Sequence, residues 1–251
     1  MQNLLVDIGN SDICYCLEQG SKLGDIIRRK TKSDICSTFD EFADEHIDNA
    51  IIASVVPDAS DDLSLRIKEM FGIDPLLVTH NSVDGLLDID FDDPATIGAD
   101  RLCDCVAAKE IYGYPAIICD FGTATNIEVI DDFGTFIGGI LCPGVEISCN
   151  ALYSSAAKLK RIELAKPENV LGKNTTDALK SGIIFGEAKK IDGLILQIIS
   201  ENDNCLTHDL KVVATGGLSP LIAKFCALVD FVDVSLTLKG LSIILKSMLK
   251  I

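Results

Sequence analysis

The chain contains 251 residues, which is enough for one large domain or two small ones. Its 22 Lys and Arg residues against 38 Asp and Glu residues give a formal net charge of −16. This balance argues against nucleic-acid binding, because a phosphate backbone requires clustered basic side chains. No uncharged apolar stretch approaches about 18 residues and no basic segment precedes the first apolar run, so neither a membrane span nor a signal peptide is expected.

The ten Cys residues do not form a metal-binding pattern. No two are spaced as Cys-x-x-Cys, and several lie inside apolar runs, where a Cys side chain behaves as a small hydrophobe. We expect them to fill the core of a protein in the reducing cytoplasm.

The first half of the chain alternates apolar runs with helical spacings. Strands are predicted at residues 3–6, 14–17, 49–56 and 75–78, and helices at 61–71 and 99–111, with an acidic, irregular segment at 86–94. The first two strands form a predicted hairpin around Asp7.

The second half begins with a predicted three-strand meander at residues 116–119, 126–130 and 135–141, followed by helices at 146–159 and 177–200, a strand at 211–214 and a helix after Pro220. Gly182 and Gly186 lie one turn apart in the longer helix, where small residues favour close packing either within a subunit or between two. A boundary near Gly113 divides the chain into predicted domains 1–113 and 114–251. Strands and helices alternate in both, which predicts an α/β fold of two similar domains.

One loop signature occurs twice, at residues 4–11 and again at 117–124. Each copy is an apolar run, then Asp, an apolar residue and Gly, and then small polar residues; the acids are Asp7 and Asp120. Such a run is a buried strand that stops at a tight turn, whose N–H and hydroxyl groups can hold phosphate while the Asp holds a cation. Two ordinary strand turns that share Asp-x-Gly by chance are the alternative.

The standard nucleotide signatures are absent. The chain has neither the Gly-rich loop that ends in Gly-Lys-Ser/Thr nor a Gly-x-Gly dinucleotide fingerprint. If phosphate is bound, the two Asp-x-Gly loops must bind it.

Gly98-Ala99-Asp100-Arg101 opens a predicted helix. Asp100 is favoured in a first turn by the helix macrodipole alone, and its functional alternative is a general base with Arg101 anchoring a carboxylate. We expect the helix terminus and Arg101 to keep Asp100 ionised and therefore weakly basic, which phosphoryl transfer tolerates.

Other small residues have two readings. Gly138-Gly139, Pro143-Gly144 and Thr215-Gly216-Gly217 either admit a ligand close to the backbone or serve turns and close packing. Thr175 is either a ligand hydroxyl or the N-cap of the helix that follows.

Taken in order, these motifs resemble the type III pantothenate kinase family of the acetate and sugar kinase/heat-shock protein/actin superfamily. The resemblance spans nearly the whole chain and rests on residues 7–11, 91–94, 98–101, 112–116, 120–125, 138–139, 143–144, 172–175 and 214–218. Gly-Ala-Asp-Arg followed by Asp-Phe-Gly-Thr-Ala-Thr is its most specific part. The resemblance implies two ribonuclease H-like/actin-like domains with a nucleotide cleft, ATP-dependent phosphorylation of pantothenate towards coenzyme A, and a cytoplasmic homodimer with pantothenate bound at the subunit interface.

The resemblance also implies residue roles. Asp100 is the catalytic base, and the pantothenate site comprises Phe91, Gly98, Ala99, Asp100, Arg101 and Thr175. The ATP site comprises Asp7, Ile8, Gly9, Asn10, Ser11, Asp12, Ile13, Cys14 and Thr123. Asp7 binds Mg²⁺, directly or through water, and Asp120 binds a monovalent cation, K⁺ or ammonium. No nucleic-acid or membrane partner is implied.

The chain departs from the family pattern at three positions. Ser11 replaces the usual Thr and keeps the hydroxyl, Phe91 replaces Tyr and removes a polar contact, and Asp12 adds a negative charge beside the phosphate loop. Two alternatives stay open: a non-catalytic relative that binds a ligand or partner, and a superfamily phosphotransferase with another acceptor.

Overall fold

The computed structural model describes residues 1–32, 35–156, 159–206 and 209–250. Its strands are β1 (Gln2–Ile8), β2 (Asp12–Gln19), β3 (Lys22–Leu23), β4 (Ile27–Lys30), β5 (Asn49–Ser54), β6 (Leu76–Leu77), β7 (Asp88–Ile89), β8 (Ala116–Phe121), β9 (Ala124–Ile130), β10 (Thr135–Pro143), β11 (Lys211–Thr215) and β12 (Phe231–Val232). Its α-helices are α1 (Pro57–Phe71), α2 (Ala99–Tyr112), α3 (Val145–Ser155), α4 (Thr175–Glu201), α5 (Ser219–Ile222) and α6 (Leu236–Leu249).

The chain forms two compact units. The first comprises residues 1–111 together with 235–251, and the second comprises residues 112–234. The C-terminal helix α6 therefore groups with the first unit, whereas the sequence-based division at residue 113 assigns it to the second half.

The first unit is built on a mixed sheet in the order β3-β2-β1-β5-β6, with β4 also pairing with β2. β1 pairs antiparallel with β2 and parallel with β5. The even-numbered residues of β1, such as Leu4 and Val6, pack with Leu63 and Ile67 of α1. Helix α6 contacts β1, β2 and β5.

The second unit repeats this local arrangement. Its strands follow the order β12-β11-β8-β9-β10, in which β8 pairs antiparallel with β9 and parallel with β11. Alternate apolar residues of these strands pack against the long helix α4, whose Ile184, Ala188, Ile191 and Ile195 are fully buried. In each unit, therefore, an Asp-x-Gly turn ends a central strand and leads into an antiparallel neighbour.

Most predicted elements are found, with three differences. Helix α1 starts at Pro57 instead of residue 61, because Pro at the first helical position lacks only an N–H group that has no intrahelical acceptor there. Helix α3 ends at Ser155 rather than 159, and residues 157–158 lie outside the described part of the chain. The predicted helix after Pro220 is one turn long, and the longer helix α6 had no counterpart among the predicted elements.

Cysteine side chains fill the core as predicted. Among those that the structure describes, Cys14, Cys16, Cys103, Cys105, Cys119 and Cys149 are buried, and none is in a disulfide. Burial raises the pKa of the Cys16 thiol to about 12, with the charge of Glu18 adding to it, so this thiol stays protonated at neutral pH.

Candidate active site

The first Asp-x-Gly loop joins β1 to β2. Ile8 and Ile13 face each other across the hairpin and are buried, and the Gly9 N–H donates to the Asp12 carbonyl oxygen at 3.0 Å. Asn10 at the tip is exposed. Of the residues assigned to ATP, Ile8 and Ile13 belong to the core, so they can offer a ligand only backbone groups.

Thr31, just after β4, forms two hydrogen bonds with this loop. Its Oγ1 donates to the Gly9 carbonyl oxygen at 2.6 Å, and its backbone N–H donates to the Ser11 carbonyl oxygen at 3.1 Å. Because C=O and N–H point in opposite directions across a trans peptide, the N–H groups of Asn10 and Asp12 are directed away from Thr31. Thr31 therefore fixes the orientation of two peptide planes in the loop.

Lys30 offsets the charge of Asp12, the residue that departs from the family pattern. The two are paired in the β2–β4 ladder, and Lys30 Nζ lies 2.9 Å from Asp12 Oδ1. Sequence reasoning missed both Thr31 and Lys30, because the pairing of β4 with β2 brings them to the loop and no local pattern marks them.

Asp100 lies in the first turn of α2. Its Oδ1 accepts the Arg101 N–H at 2.8 Å. Burial raises the pKa of Asp100 above its usual value, and the backbone hydrogen bond and charge of Arg101 offset this only in part. The expectation of a weakly basic carboxylate is therefore wrong in direction, because it took account of the helix terminus and Arg101 but not of desolvation.

Gly98 leaves the space that this carboxylate occupies. A Cβ at Gly98 would lie 2.5 Å from Asp100 Oδ1 and 3.3 Å from Cγ1 of Val55. Any side chain here would therefore displace the Asp100 carboxylate.

Arg101 and Phe91 form a cation–π contact. The Arg101 guanidinium carbon lies 5.8 Å from the centroid of the Phe91 ring. An aromatic face thus orients Arg101 even though the hydroxyl of the more usual Tyr is absent.

Asp7 and Asp100 are brought to the same part of the first unit. Burial, and then the charges of Asp104, Asp7 and Asp100, raise the pKa of the buried Cys103 thiol. The carboxylates of the two motifs, about 90 residues apart in the chain, therefore act on the same thiol.

Two glycines, Gly216 and Gly144, lie close against the second Asp-x-Gly loop, which joins β8 to β9. Gly216 follows β11 with a φ of 85°, and a Cβ there would collide with Asp120 Oδ1 and lie 2.8 Å from the Phe121 nitrogen. A Cβ at Gly144 would collide with the Thr123 carbonyl oxygen. Both glycines are thus required by close approach to the loop that contains Asp120 and Thr123.

Thr175 is the exposed first residue of α4. The alternative reading of this residue as the helix cap is wrong, since Asn174 is the N-cap and its side chain accepts the Asp177 N–H at 2.9 Å. The Thr175 hydroxyl is therefore not used as the cap of α4.

The candidate residues are divided between the two units. Asp7 with its loop, Phe91 and Gly98 to Arg101 belong to the first, and Asp120, Thr123 and Thr175 belong to the second. Within the described ranges, no three His, Cys, Asp or Glu side chains are arranged to hold a metal ion by themselves. None of the described helices is both long and apolar enough to cross a membrane.

Two α/β units, each with an Asp-x-Gly turn between antiparallel strands, are typical of the actin-like fold class. Spiroplasma citri MreB 5, solved with AMPPNP, is similar over 99% of this chain and 97% of its own, with a TM-score of 0.55 and 11% identity. A Baf family transcriptional activator from Campylobacter jejuni is similar over 99% and 100%, with a TM-score of 0.60 and 18% identity. These likenesses show the fold alone, and they confirm the predicted α/β actin-like class.

The family is shown by closer matches. The model of type III pantothenate kinase matches residues 3–197. A type III pantothenate kinase from Halalkalibacterium halodurans is 38% identical over 254 aligned residues, covering 97% of this chain and 98% of the relative. The chain belongs to the type III pantothenate kinase family, as its motifs predict.

Proposed function

We propose that this chain transfers the γ-phosphoryl group of ATP to the primary hydroxyl of pantothenate, giving 4'-phosphopantothenate in the first step of coenzyme A biosynthesis. Family membership over nearly the full length supports the reaction class and the acceptor. The observation that carries the mechanism is Asp100, a partly buried carboxylate of raised pKa in the first turn of α2, next to Arg101.

Asp100 accepts the proton of the substrate hydroxyl as the new O–P bond forms and the bond between the γ-phosphorus and the bridging oxygen breaks. ADP leaves with the electron pair of that bond. The raised pKa makes the ionised Asp100 a better proton acceptor than an exposed Asp. Arg101, held over Phe91, anchors the pantothenate carboxylate together with the backbone of Gly98 and Ala99, and Thr175 supplies a hydroxyl contact.

The ATP phosphates lie against the loop of residues 8–14, in which Ser11 provides a hydroxyl group. Thr123, in the second loop, also contacts ATP. The partly exposed Asp7 carboxylate suits Mg²⁺, which is commonly held by one or two carboxylates and the substrate phosphates. Mg²⁺ supplies charge neutralisation of the phosphates when bound. Asp120 holds the monovalent cation, since a carboxylate oxygen is a ligand that suits hard cations.

The test is ADP release from ATP and Mg²⁺, with and without pantothenate, in K⁺ and then in Na⁺ buffer. Release that requires pantothenate and K⁺, and that falls by at least about a hundredfold in Asp100→Asn, supports the proposal. Asp90→Asn, which removes an exposed acid, is the matched control and keeps full activity.

Two results would reject the proposal. ADP release without pantothenate indicates a hydrolase or a different acceptor. Absence of turnover from folded protein in every buffer indicates a non-catalytic relative.

The protein acts as a homodimer, and the groove between α3 and α4 supports this. The groove has a volume of about 540 Å³ and is lined by Val145, Leu152, Ile183, Gly182 and Gly186. A Cβ at either glycine would meet nothing within 4 Å, so the face of α4 around Gly182 and Gly186 is not closely packed within the described part of the subunit. A second copy would cover it.

Light scattering tests the dimer. Gly186→Glu places a charge in the groove and should give a monomer, whereas Leu65→Glu on the exposed side of α1 leaves the mass unchanged. A wild-type monomer, or a Gly186→Glu dimer, contradicts the assignment.

A further inference from the structure

Three polar side chains form a row across the sheet of the second unit. Asp120 on β8 is directly opposite Asn126 on β9, and on its other side it is in register with Thr215 on β11. Alternate residues of β8, including Cys119 and Phe121, point into the core, so Asp120 is on the other face. Side chains opposite each other on neighbouring strands lie about 5 Å apart, which places this row on that face within contact distance.

Asn126 is the unusual member of the row. The residue is only 7% exposed, and its Oδ1 is fully buried without accepting a hydrogen bond. A buried amide oxygen without a donor is unfavourable, and such atoms in a native fold point to a missing water, ion or ligand. The neighbour across the ladder is the Asp120 carboxylate, which is also an acceptor, so it cannot satisfy the Asn126 oxygen.

A cation bound at Asp120 would satisfy the Asn126 oxygen. The row offers a carboxylate, an amide carbonyl and a hydroxyl, with no nitrogen or sulfur ligand required, and oxygen ligands of this kind suit hard cations. The Gly216 backbone lies close to the Asp120 carboxylate, since a Cβ there would collide with Asp120 Oδ1. One carboxylate with neutral oxygens matches a single positive charge.

We propose that Asn126 Oδ1 is a second side-chain ligand of the monovalent cation that Asp120 holds. This assignment rests on the proposed cation site at Asp120 and adds to it a specific ligand on the neighbouring strand. Asn126 thereby contributes to the affinity of the site and to its choice among cations of different size.

The test measures the ion itself, with Rb⁺ as a probe for K⁺. Equilibrium dialysis with radioactive Rb⁺ is compared for wild type and Asn126→Leu, a substitution that keeps the branching of the side chain and removes the amide. We expect Asn126→Leu to weaken Rb⁺ binding by at least about tenfold, since even indirect partners of metal ligands change affinity by that factor. KCl should raise the melting temperature of the wild type above its value in choline chloride, and this difference should be absent from Asn126→Leu.

The same variant separates a ligand from a structural amide. In choline chloride Asn126→Leu should melt at the wild-type temperature or above it, because the unpaired oxygen has been removed. The matched control is Asn3→Leu, since the buried Asn3 amide is satisfied by Glu18 and Asn49. It should lower the melting temperature and leave Rb⁺ affinity unchanged.

Each contrary outcome has a distinct meaning. Wild-type Rb⁺ affinity in Asn126→Leu, with binding lost in Asp120→Asn, overturns the role of Asn126 and leaves the Asp120 site in place. A melting temperature of Asn126→Leu that falls as far as that of Asn3→Leu in choline chloride also overturns it. Absence of Rb⁺ binding by the wild type rejects the cation site as a whole.

Discussion

Asp100 has opposite consequences for activity and for stability. Because burial raises its pKa in the folded state above the value in the unfolded chain, folding favours the protonated form. Its contribution to stability is therefore full below the unfolded pKa and is lost as pH rises through the folded pKa. The ionised carboxylate, which the proposed reaction needs, therefore lowers the stability of the fold.

Asp100→Asn should therefore stabilise the protein while abolishing activity. We expect the free energy of unfolding at pH 7 to rise by about 0.5–2 kcal/mol, and the difference from wild type to shrink as the pH is lowered through the titration of Asp100. Urea denaturation at pH 7 and in mild acid measures both effects. A variant that is less stable than wild type at pH 7 contradicts the argument from burial.

Thr31 should affect ATP binding more than the chemical step. Thr31→Val keeps the shape but removes the hydroxyl that donates to the Gly9 carbonyl oxygen. We expect the KM for ATP to rise by about tenfold with a smaller change in kcat, because the loss of one such hydrogen bond is about 1–3 kcal/mol. Thr31→Ser restores the hydroxyl and should recover most of the affinity. If the Ser and Val variants behave alike, the hydroxyl is not what orients the loop.

Local patterns were sufficient to find Asp7, Asp100 and Asp120 as candidates, since each follows or opens a regular element. They could not find Thr31, which lies 22 positions from Gly9, or Asn126, whose unpaired oxygen exists only in the folded sheet. The ionisation of Asp100 was misjudged for the same reason, because desolvation depends on the whole surrounding fold.

Helix α6 is joined to the sheet of the first unit by a buried polar cluster. Glu18 on β2 is 1% exposed and accepts from Ser242 and Lys246 of α6 and from Asn3 of β1. Burial alone would raise the pKa of Glu18, but Lys246, Ser242 and Asn3 together lower it. Its contribution to stability is therefore present above the unfolded pKa and lost as pH falls through the folded pKa.

Lys246→Met should be strongly destabilising, because it leaves Glu18 buried without its counter-ion. We expect the free energy of unfolding to fall by about 2–4 kcal/mol at pH 7 and by less in acid, where Glu18 is protonated. The control is Lys68→Met, which breaks an exposed ion pair with Asp74 and should change stability by less than about 1 kcal/mol. Equal effects of the two variants in guanidinium chloride titrations would show that Glu18 does not depend on Lys246.

Elements were predictable where one face is apolar at a regular period, as in α2, α4 and the β8–β9–β10 meander. The sequence predicts a helix after Pro220 but not that it is only four residues long, because Pro marks a helix start and not its length. Helix α6 was not assigned, and its place in the first unit depends on contacts such as Thr237 with Asp104, which are 133 positions apart.

The net charge of −16 acts on the whole molecule. Like charges repel more strongly in the compact state than in the unfolded chain, and salt screens this repulsion over about 8 Å at 0.15 M. We expect the melting temperature to rise by a few degrees (about 1 kcal/mol) between low salt and about 0.3 M choline chloride, an ion too large for an oxygen-lined cation site. A flat or falling melting temperature would show that paired surface charges already cancel the repulsion.

The grouping of α6 with residues 1–111 has a consequence for how the protein is made. On the ribosome, β1, β2 and β5 emerge before the whole of the second unit, and the helix that covers them emerges after it. The second unit is continuous in the chain and can complete its fold while the first still exposes apolar strand residues such as Leu5 and Ile51, which are fully buried in the finished protein. The first unit therefore begins to be synthesised before the second but is completed after it, and it needs protection from aggregation until α6 has emerged.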